Sequence, residues 1–503
     1  MASTEGASIP NNNRCKFILP KKQRQCKQSV KAGLDYCGQH LPTEGCEDQQ
    51  AGDRRVQCPY GKHTVPAYLL ASHLKICNDK KIADQWSSEP YHVPSINAGP
   101  EPALILPDAP PELADFKGRV DTPACRRLAY AVNLGPDALK NLISRLNSVS
   151  KRIKELSPNK YSILREEDVE KLAARASTGS SHMPFNVKHG AQHASILGNM
   201  DKFGLFSHPK DTMFIEFGAG KGYLTNALAK LIPEADKLIM MDNQKFKLLA
   251  DRRLRNKKMQ RLRCDIANFE PCGVDGFEQV PFWVAHGKHL CGAATDLTLR
   301  CCYRYLERRR ERGGGGGGTT TGDAGSSADT VQVVDHKSTF LGLGVATCCH
   351  HRCSWQHYIA QDVILELGFS PEEFEIFSYF TSWALCGHFG TSNSSTRKSN
   401  KNGKDANDSG RDNGHATCVG VSEAKEEEES IEGGVEERIN GGGWRLHHSF
   451  PREERQLIGK QCKRLIDYGR VEWLRRNGFD AIEVLYCDPE SSGENRLVLA
   501  RPK

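Results

Sequence analysis

Three glycines, Gly218, Gly220 and Gly222, stand between the apolar run MFIEF (213–217) and a helical stretch from Tyr223 to Leu231. Glycine at such a junction lets the backbone approach a ligand at the N-terminus of the helix. A dinucleotide fingerprint wants G-x-G-x-x-G, but Tyr223 stands at the third glycine position. A Walker loop wants Ser or Thr after Gly-Lys, and Gly222 follows Lys221 instead, so neither nucleotide motif fits. Further along, KLIMMD, a basic stretch read as a helix, FWVAHG, a helix near Leu297–Leu306 and FLGLGVATC continue the alternation of strand and helix. That order argues for an α/β domain with a parallel sheet and crossover helices. ERQLIGKQCKRLIDYGRVEWLRRNGF reads as an amphipathic helix, and FDAIEVLYC and NRLVLA as two strands joined by DPESSGE.

A chain of 503 residues allows two to four domains. With 38% hydrophobic against 26% charged residues and 46 glycines, ordered islands alternate with segments that cannot fold. Two such segments are expected as disordered insertions, 307–336 around Gly313–Gly318 and 391–443 around an acidic run. The start MASTEGASIP has no basic-then-apolar pattern and no run of about 18 apolar residues occurs, which predicts a nuclear or cytoplasmic protein, neither secreted nor membrane-bound. In those reducing compartments, 19 cysteines point to thiolate metal ligands rather than disulfides.

Two ligand sets stand at the N-terminus. Cys58-x4-His63-x9-His73-x3-Cys77 supplies two close pairs, the second at helical i,i+4 spacing, in a stretch with too little apolar content to fold unaided; it predicts a zinc module over 54–80. Cys15-x10-Cys26-x10-Cys37-x2-His40 is a looser set and predicts a second zinc module over 12–42, with Cys46 as a substitute ligand. A Pro-rich linker follows over 81–123, a helical lead-in over 124–210 and the α/β domain over 211–503.

Within the α/β domain Glu216 precedes the glycines, Asp242 ends the next apolar strand where a carboxylate can accept both hydroxyls of a ribose, and Asp265 follows the third strand. This ordered set resembles the S-adenosylmethionine-binding half of the seven-stranded methyltransferases. Substrates of open parallel sheets bind beyond the carboxyl ends of the strands, where this chain carries HGKHLCGAATD and ATCCHHRCSW. Together with the two metal sets, KHGAQHASILGNM, IEFGAGKGYLT and GKQCKRLIDYGRVEWL, these motifs resemble the tRNA:m4X modification enzymes, ribose 2'-O-methyltransferases acting on the fourth nucleotide of the tRNA acceptor stem. The likeness covers nearly all of the chain outside the insertions, with His193 where a second Gln is expected.

The resemblance implies a seven-stranded, Rossmann-like methyltransferase domain behind a CCCH and a CHHC finger, S-adenosylmethionine as donor, two structural zinc ions and tRNA as acceptor. It calls for no membrane and no obligate protein partner. Methyl transfer to a ribose hydroxyl needs a group to accept or guide the proton, and Lys288 and His289 are the first candidates, with His350 and His351 behind them. Lys188 and His189 are expected to help close the cofactor pocket. The density of Cys291, Cys348, Cys349, Cys353 and the neighbouring histidines also permits a third metal site, although small thiols pack well between close strands.

Net charge is only +7, so RNA contacts must come from local clusters. From Lys245 to Arg263 the chain has nine Lys or Arg and one acid, expected as a basic helix along the RNA backbone through Lys257, Lys258 and Arg261. Arg464 and Arg470 are expected to add to it. An adenine-N6 enzyme would carry an acidic residue or Asn with Pro-Pro-Tyr/Phe after the fourth strand, where this chain has HGKHLCG. The intact glycine loop argues against a non-catalytic RNA-binding scaffold.

Overall fold

The computed structural model describes residues 14–19, 24–30, 35–37, 55–61, 63–99, 104–114, 118–165, 167–174, 187–244, 258–313, 338–348, 350–385 and 450–503. It divides into two compact units, residues 1–92 and 93–503. In the first unit, Ile18–Leu19 pairs antiparallel with Arg24–Gln25, and Arg55–Gln57 with Thr64–Pro66. The second ribbon leads into helices Leu70–Ile76 and Asn78–Ser87. His40, Cys46, Lys257 and Cys349 and the expected insertion 391–443 lie outside the described residues, as do 314–336 of the other insertion.

The second unit is built on a seven-stranded sheet of β1 (Thr212–Phe217), β2 (Lys237–Asp242), β3 (Lys258–Arg263), β4 (Phe282–Lys288), β5 (Thr339–Thr347), β6 (Phe479–Leu485) and β7 (Arg496–Pro502), in the order β6-β7-β5-β4-β1-β2-β3. Only β7 runs against its neighbours, inserted between β5 and β6. The β1 residues are buried along their whole length, which explains why MFIEF reads as a continuous apolar run rather than an alternation.

Helices α1 (Pro123–Asn133), α2 (Gly135–Leu156), α3 (Asp168–Ala174) and α4 (Val187–Lys202) precede the sheet. α1 starts on the Thr122 hydroxyl, which accepts from Cys125 N, with Pro123 in its first turn. Ala194, Leu197 and Met200 of α4 join Phe214, Met240 and Val284 of the sheet in one buried cluster, with α5 (Tyr223–Leu231) against it through Leu224, Ala227 and Leu228. Each of the Leu, Met, Val and Phe side chains contributes about 1.5–3 kcal/mol.

α6 (Ala293–Gly313) follows β4 and runs seven residues into the expected insertion 307–336. α7 (Gln361–Glu366), α8 (Pro371–Phe380) and α9 (Arg452–Arg476) complete the unit. α9 has Glu453 and Glu454 in its first turn and Arg475 and Arg476 in its last, which suits the helix dipole, and it stops where Gly478 takes φ +86°. It lies close to its neighbours because Gly469 has no side chain: a Cβ there would meet the Tyr358 hydroxyl at 2.1 Å.

Two expectations change. The 81–123 stretch is not a plain spacer: its start belongs to the helix Asn78–Ser87 of the first unit, and Asn97, already within the second unit, is fully buried, its Nδ2 donating to Ile266 O and Phe269 O at 2.7 Å. The basic run does not end as a helix, because residues 258–263 form the edge strand β3, in parallel register with β2. Residues 245–257 of that run lie outside the described residues.

Candidate functional site

The C-terminal ends of β1 to β5 share one edge of the sheet, as the parallel register requires. At this edge Gly218, Gly220 and Gly222 have φ of +59°, +51° and +75°, a region open to glycine and strained for other residues. Gly218 also lacks room, since a Cβ would stand 2.6 Å from Leu290 Cδ2.

Side chains from three strands hold the loop. Glu216 of β1 accepts from Thr225 N at 2.9 Å and from the Thr225 hydroxyl, satisfying donors in the first turn of α5. Burial pushes the Glu216 carboxyl up to about 7, against the pull of those two bonds and of Arg261. Asp242, at the end of β2, accepts from Gly220 N at 2.9 Å through Oδ2 and from Gln244 N at 2.8 Å through Oδ1. Arg261 of β3 donates to Gly220 O at 2.8 Å. Gly220 is thus held at both its N–H and its C=O, and each Asp242 oxygen keeps a second lone pair beside the loop.

On the other side of β1, Lys288 ends β4. It is 8% exposed, and its Nζ donates to Gln192 Oε1 at 2.8 Å. His189, Gln192 and His193 occupy one face of α4 at i, i+3 and i+4. Desolvation, then Lys288, His189 and His289, hold the His193 imidazole well below its ordinary range, so it is neutral near pH 7. His289 is exposed, in the left-handed region at φ +63°. Strain in a non-glycine residue at a strand end is common at functional loops.

In the first unit, Cys58, His63, His73 and Cys77 bring their ligating atoms within 4.8 Å of one another. A tetrahedral zinc with Zn–S of about 2.3 Å sets two sulfurs about 3.8 Å apart, and Cys58 Sγ and Cys77 Sγ are 3.7 Å apart. The His63 and His73 Nε2 atoms, at 2.8 Å, would part by about 0.5 Å to take an ion between them. Cys15, Cys26 and Cys37 form a second group, all buried, with Phe17, Val30 and Tyr36 packed around it. Zinc fits both sets. No third group of three ligating side chains occurs among the described residues, although Cys291 Sγ and Cys348 Sγ approach to 3.7 Å.

A sequence profile described as "Methyltransferase TRM13" matches residues 191–501, and one described as "CCCH zinc finger in TRM13 protein" matches residues 13–41. The chain belongs to the TRM13 methyltransferase family. It is similar to the human "tRNA:m(4)X modification enzyme TRM13 homolog", 29% identical over 99% of this chain and 97% of the relative. The mouse homolog is also 29% identical, over 100% and 97%, and the tRNA:m(4)X modification enzyme TRM13 of Yarrowia lipolytica is 27% identical over 96% and 88%. The TRM13 profile spans the whole edge just described, from Gln192 through the glycine loop and Lys288 to β7.

Within this domain several expected site residues serve the framework instead. His350 is 1% exposed, and its Nε2 lies 2.9 Å from Asp467 Oδ2, so no incoming hydroxyl reaches it. Arg470 is completely buried: it donates to Asp296 at 3.1 and 2.7 Å and to Asp467 at 3.0 Å, and none of its surface is open to RNA. Arg464 is mostly buried and pairs with Glu483 and Ser157 O. Arg261 holds Gly220 rather than a phosphate. Asp265, exposed, accepts from Ala267 N at 2.9 Å as the cap of a short turn. The side chains of Lys188 and Lys258 are outside the described set. His351 stays half-buried beside the edge, its carbonyl held at 2.6 Å by Arg127, a buried residue of α1 that also binds Glu375 and Cys353 O.

Gln192 and Asp296 lie inside KHGAQHASILGNM and HGKHLCGAATD but were not singled out within them, and Arg127 lies in no motif. The i,i+3 spacing of Asp467 and Arg470 on the apolar face of α9 was the one legible sign of a buried pair.

Proposed function

We propose that this chain is a tRNA ribose 2'-O-methyltransferase that moves a methyl group from S-adenosylmethionine to the 2'-hydroxyl of the fourth nucleotide of the acceptor stem. The observation that carries the reading is the clamp on Gly220 by Asp242 and Arg261, which keeps a glycine-rich loop at the edge where β4 presents Lys288. Membership of a methyltransferase family and the tRNA-modification names of its relatives support the donor and the acceptor class. The absence of a Pro-Pro-Tyr/Phe signature in HGKHLCG favours a ribose over an adenine amine.

S-adenosylmethionine, when bound, supplies an electrophilic methyl group. Gly218, Gly220 and Gly222 let the backbone lie close to it, and the free lone pairs of Asp242 accept ribose hydroxyls. Lys288, oriented by Gln192, takes the proton of the attacking 2'-hydroxyl at Nζ, with His289 and His351 flanking the acceptor. The finger modules, each holding zinc, grip the tRNA.

The test is transfer of labelled methyl from S-adenosylmethionine to total tRNA, followed by alkaline hydrolysis. A 2'-O-methyl group removes the nucleophile that cleaves the adjacent phosphodiester, so label is expected in alkali-resistant dinucleotides. Label in mononucleotides would refute ribose methylation. Lys288→Met should lower kcat about 10²–10⁴-fold, the range for a lost general base, with little change in donor affinity; full activity would remove Lys288 from the chemistry.

A further inference from the structure

His63 presents Nε2 to the centre of its ligand set, 2.8 Å from His73 Nε2 and 3.7 Å from Cys77 Sγ. Its other ring nitrogen, Nδ1, points away and lies 3.2 Å from Asp79 Oδ2. Asp79 stands in the first turn of the helix Asn78–Ser87, whose N-cap residue is the ligand Cys77, so one chain reversal places both a thiolate and this carboxylate. Gly61 provides a second, independent observation. Its φ is not in the left-handed region, so the backbone does not demand glycine there. A Cβ on Gly61 would fall 2.0 Å from Asp79 Oδ2 and 2.8 Å from His63 Nδ1, so any larger residue there would push the Asp79 carboxylate off its place beside the imidazole.

We propose that Asp79 is a positioning residue of the Cys58–His63–His73–Cys77 zinc site, and that Gly61 is small in order to admit it. The carboxylate accepts the Nδ1 proton of His63, fixes the tautomer whose Nε2 lone pair faces the ion, and strengthens the imidazole as a donor. Such outer partners of ligating histidines usually change metal affinity 10–100-fold. The inference rests on zinc in this set and is independent of methyl transfer.

The experiment is competition between the full-length, zinc-loaded chain and a chromophoric chelator, which releases two ions from wild type. Asp79→Ala and Gly61→Ala should each release one of the two at about 10–100-fold lower chelator concentration, while the ion of the other finger leaves as in wild type. Asp79→Asn, which keeps an acceptor but not its charge, should fall between. Retention of both ions by Asp79→Ala at wild-type chelator concentrations would overturn the proposal.

Asp79 also sits where any acid favours the helix dipole, so Asn78→Asp is added to Asp79→Ala. If the carboxylate acts on His63, zinc affinity stays low in the double variant; recovery would reduce Asp79 to a helix-terminus role and refute the inference. A wild-type chain that holds only one ion would instead remove the zinc assignment beneath it.

Discussion

Replacing Arg470 by Met separates a framework role from an RNA-contact role. The guanidinium spends Nε and Nη2 on Asp296, Nη1 on Asp467 and a further contact of 3.2 Å on Cys353 Sγ, all buried. Methionine keeps the bulk of the stem and removes every donor. Asp467 would keep Thr347 Oγ1 at 3.0 Å and His350 at 2.9 Å, but among the described residues Asp296 would keep only the Ile359 amide at 3.3 Å.

Stranding one partner of a buried ion pair costs about 3–5 kcal/mol. At about 2–4 °C per kcal/mol for domains of 150–250 residues, Arg470→Met should melt roughly 6–20 °C below wild type, toward the low end in a unit of this length. The assay is a melting curve of the full chain with tRNA binding measured in parallel below the transition. Adding Asp296→Asn and Asp467→Asn should recover part of the loss, because no unpaired charge then remains inside. Burial opposes ionisation of Asp467, but His350 and Arg470 hold its carboxyl below the usual range. Its stabilisation is therefore present above about pH 4 and lost as pH falls further, so the penalty of Arg470→Met should narrow in acid. A variant that melts within about 2 °C of wild type yet loses tRNA affinity would refute the buried role.

Two further outcomes are expected. Glu216 is pushed up to about 7 from an ordinary 4.5, so its ionisation opposes folding: the contribution of this group to stability is greatest below about pH 4.5 and declines as pH rises through 7, by on the order of 3 kcal/mol. Glu216→Gln should flatten melting temperature against pH between 5 and 8, and an unchanged slope would count against the buried carboxyl. Gly218→Ala should weaken S-adenosylmethionine binding by about tenfold or more, from about 1–2 kcal/mol of left-handed strain plus the clash with Leu290; calorimetry giving wild-type affinity would remove the loop from the donor site.

The strand, glycine loop and helix were legible because their signals are local: a buried run, three adjacent turn residues and a helical period within 20 residues. The four ligands from Cys58 to Cys77 were legible for the same reason. The clamp was not, since Arg261 and Gly220 are 41 residues apart. Charge was visible everywhere and burial nowhere, so Arg261, Arg464 and Arg470 read as RNA ligands although each is engaged within the protein. Residues 258–263 read both as the end of a basic helix and as the third strand before Asp265, and pairing with β2 makes them an edge strand.

By itself the sequence determined the strand–glycine loop–helix junction and the ligand spacings, because each depends on residues within a few turns of one another. The tertiary structure alone decided which polar and titratable groups lie inside. His350, Asp467, Asp296 and Arg470 come together across up to 174 residues, and whether a charge meets water, RNA or a buried counter-charge is settled only when distant segments pack.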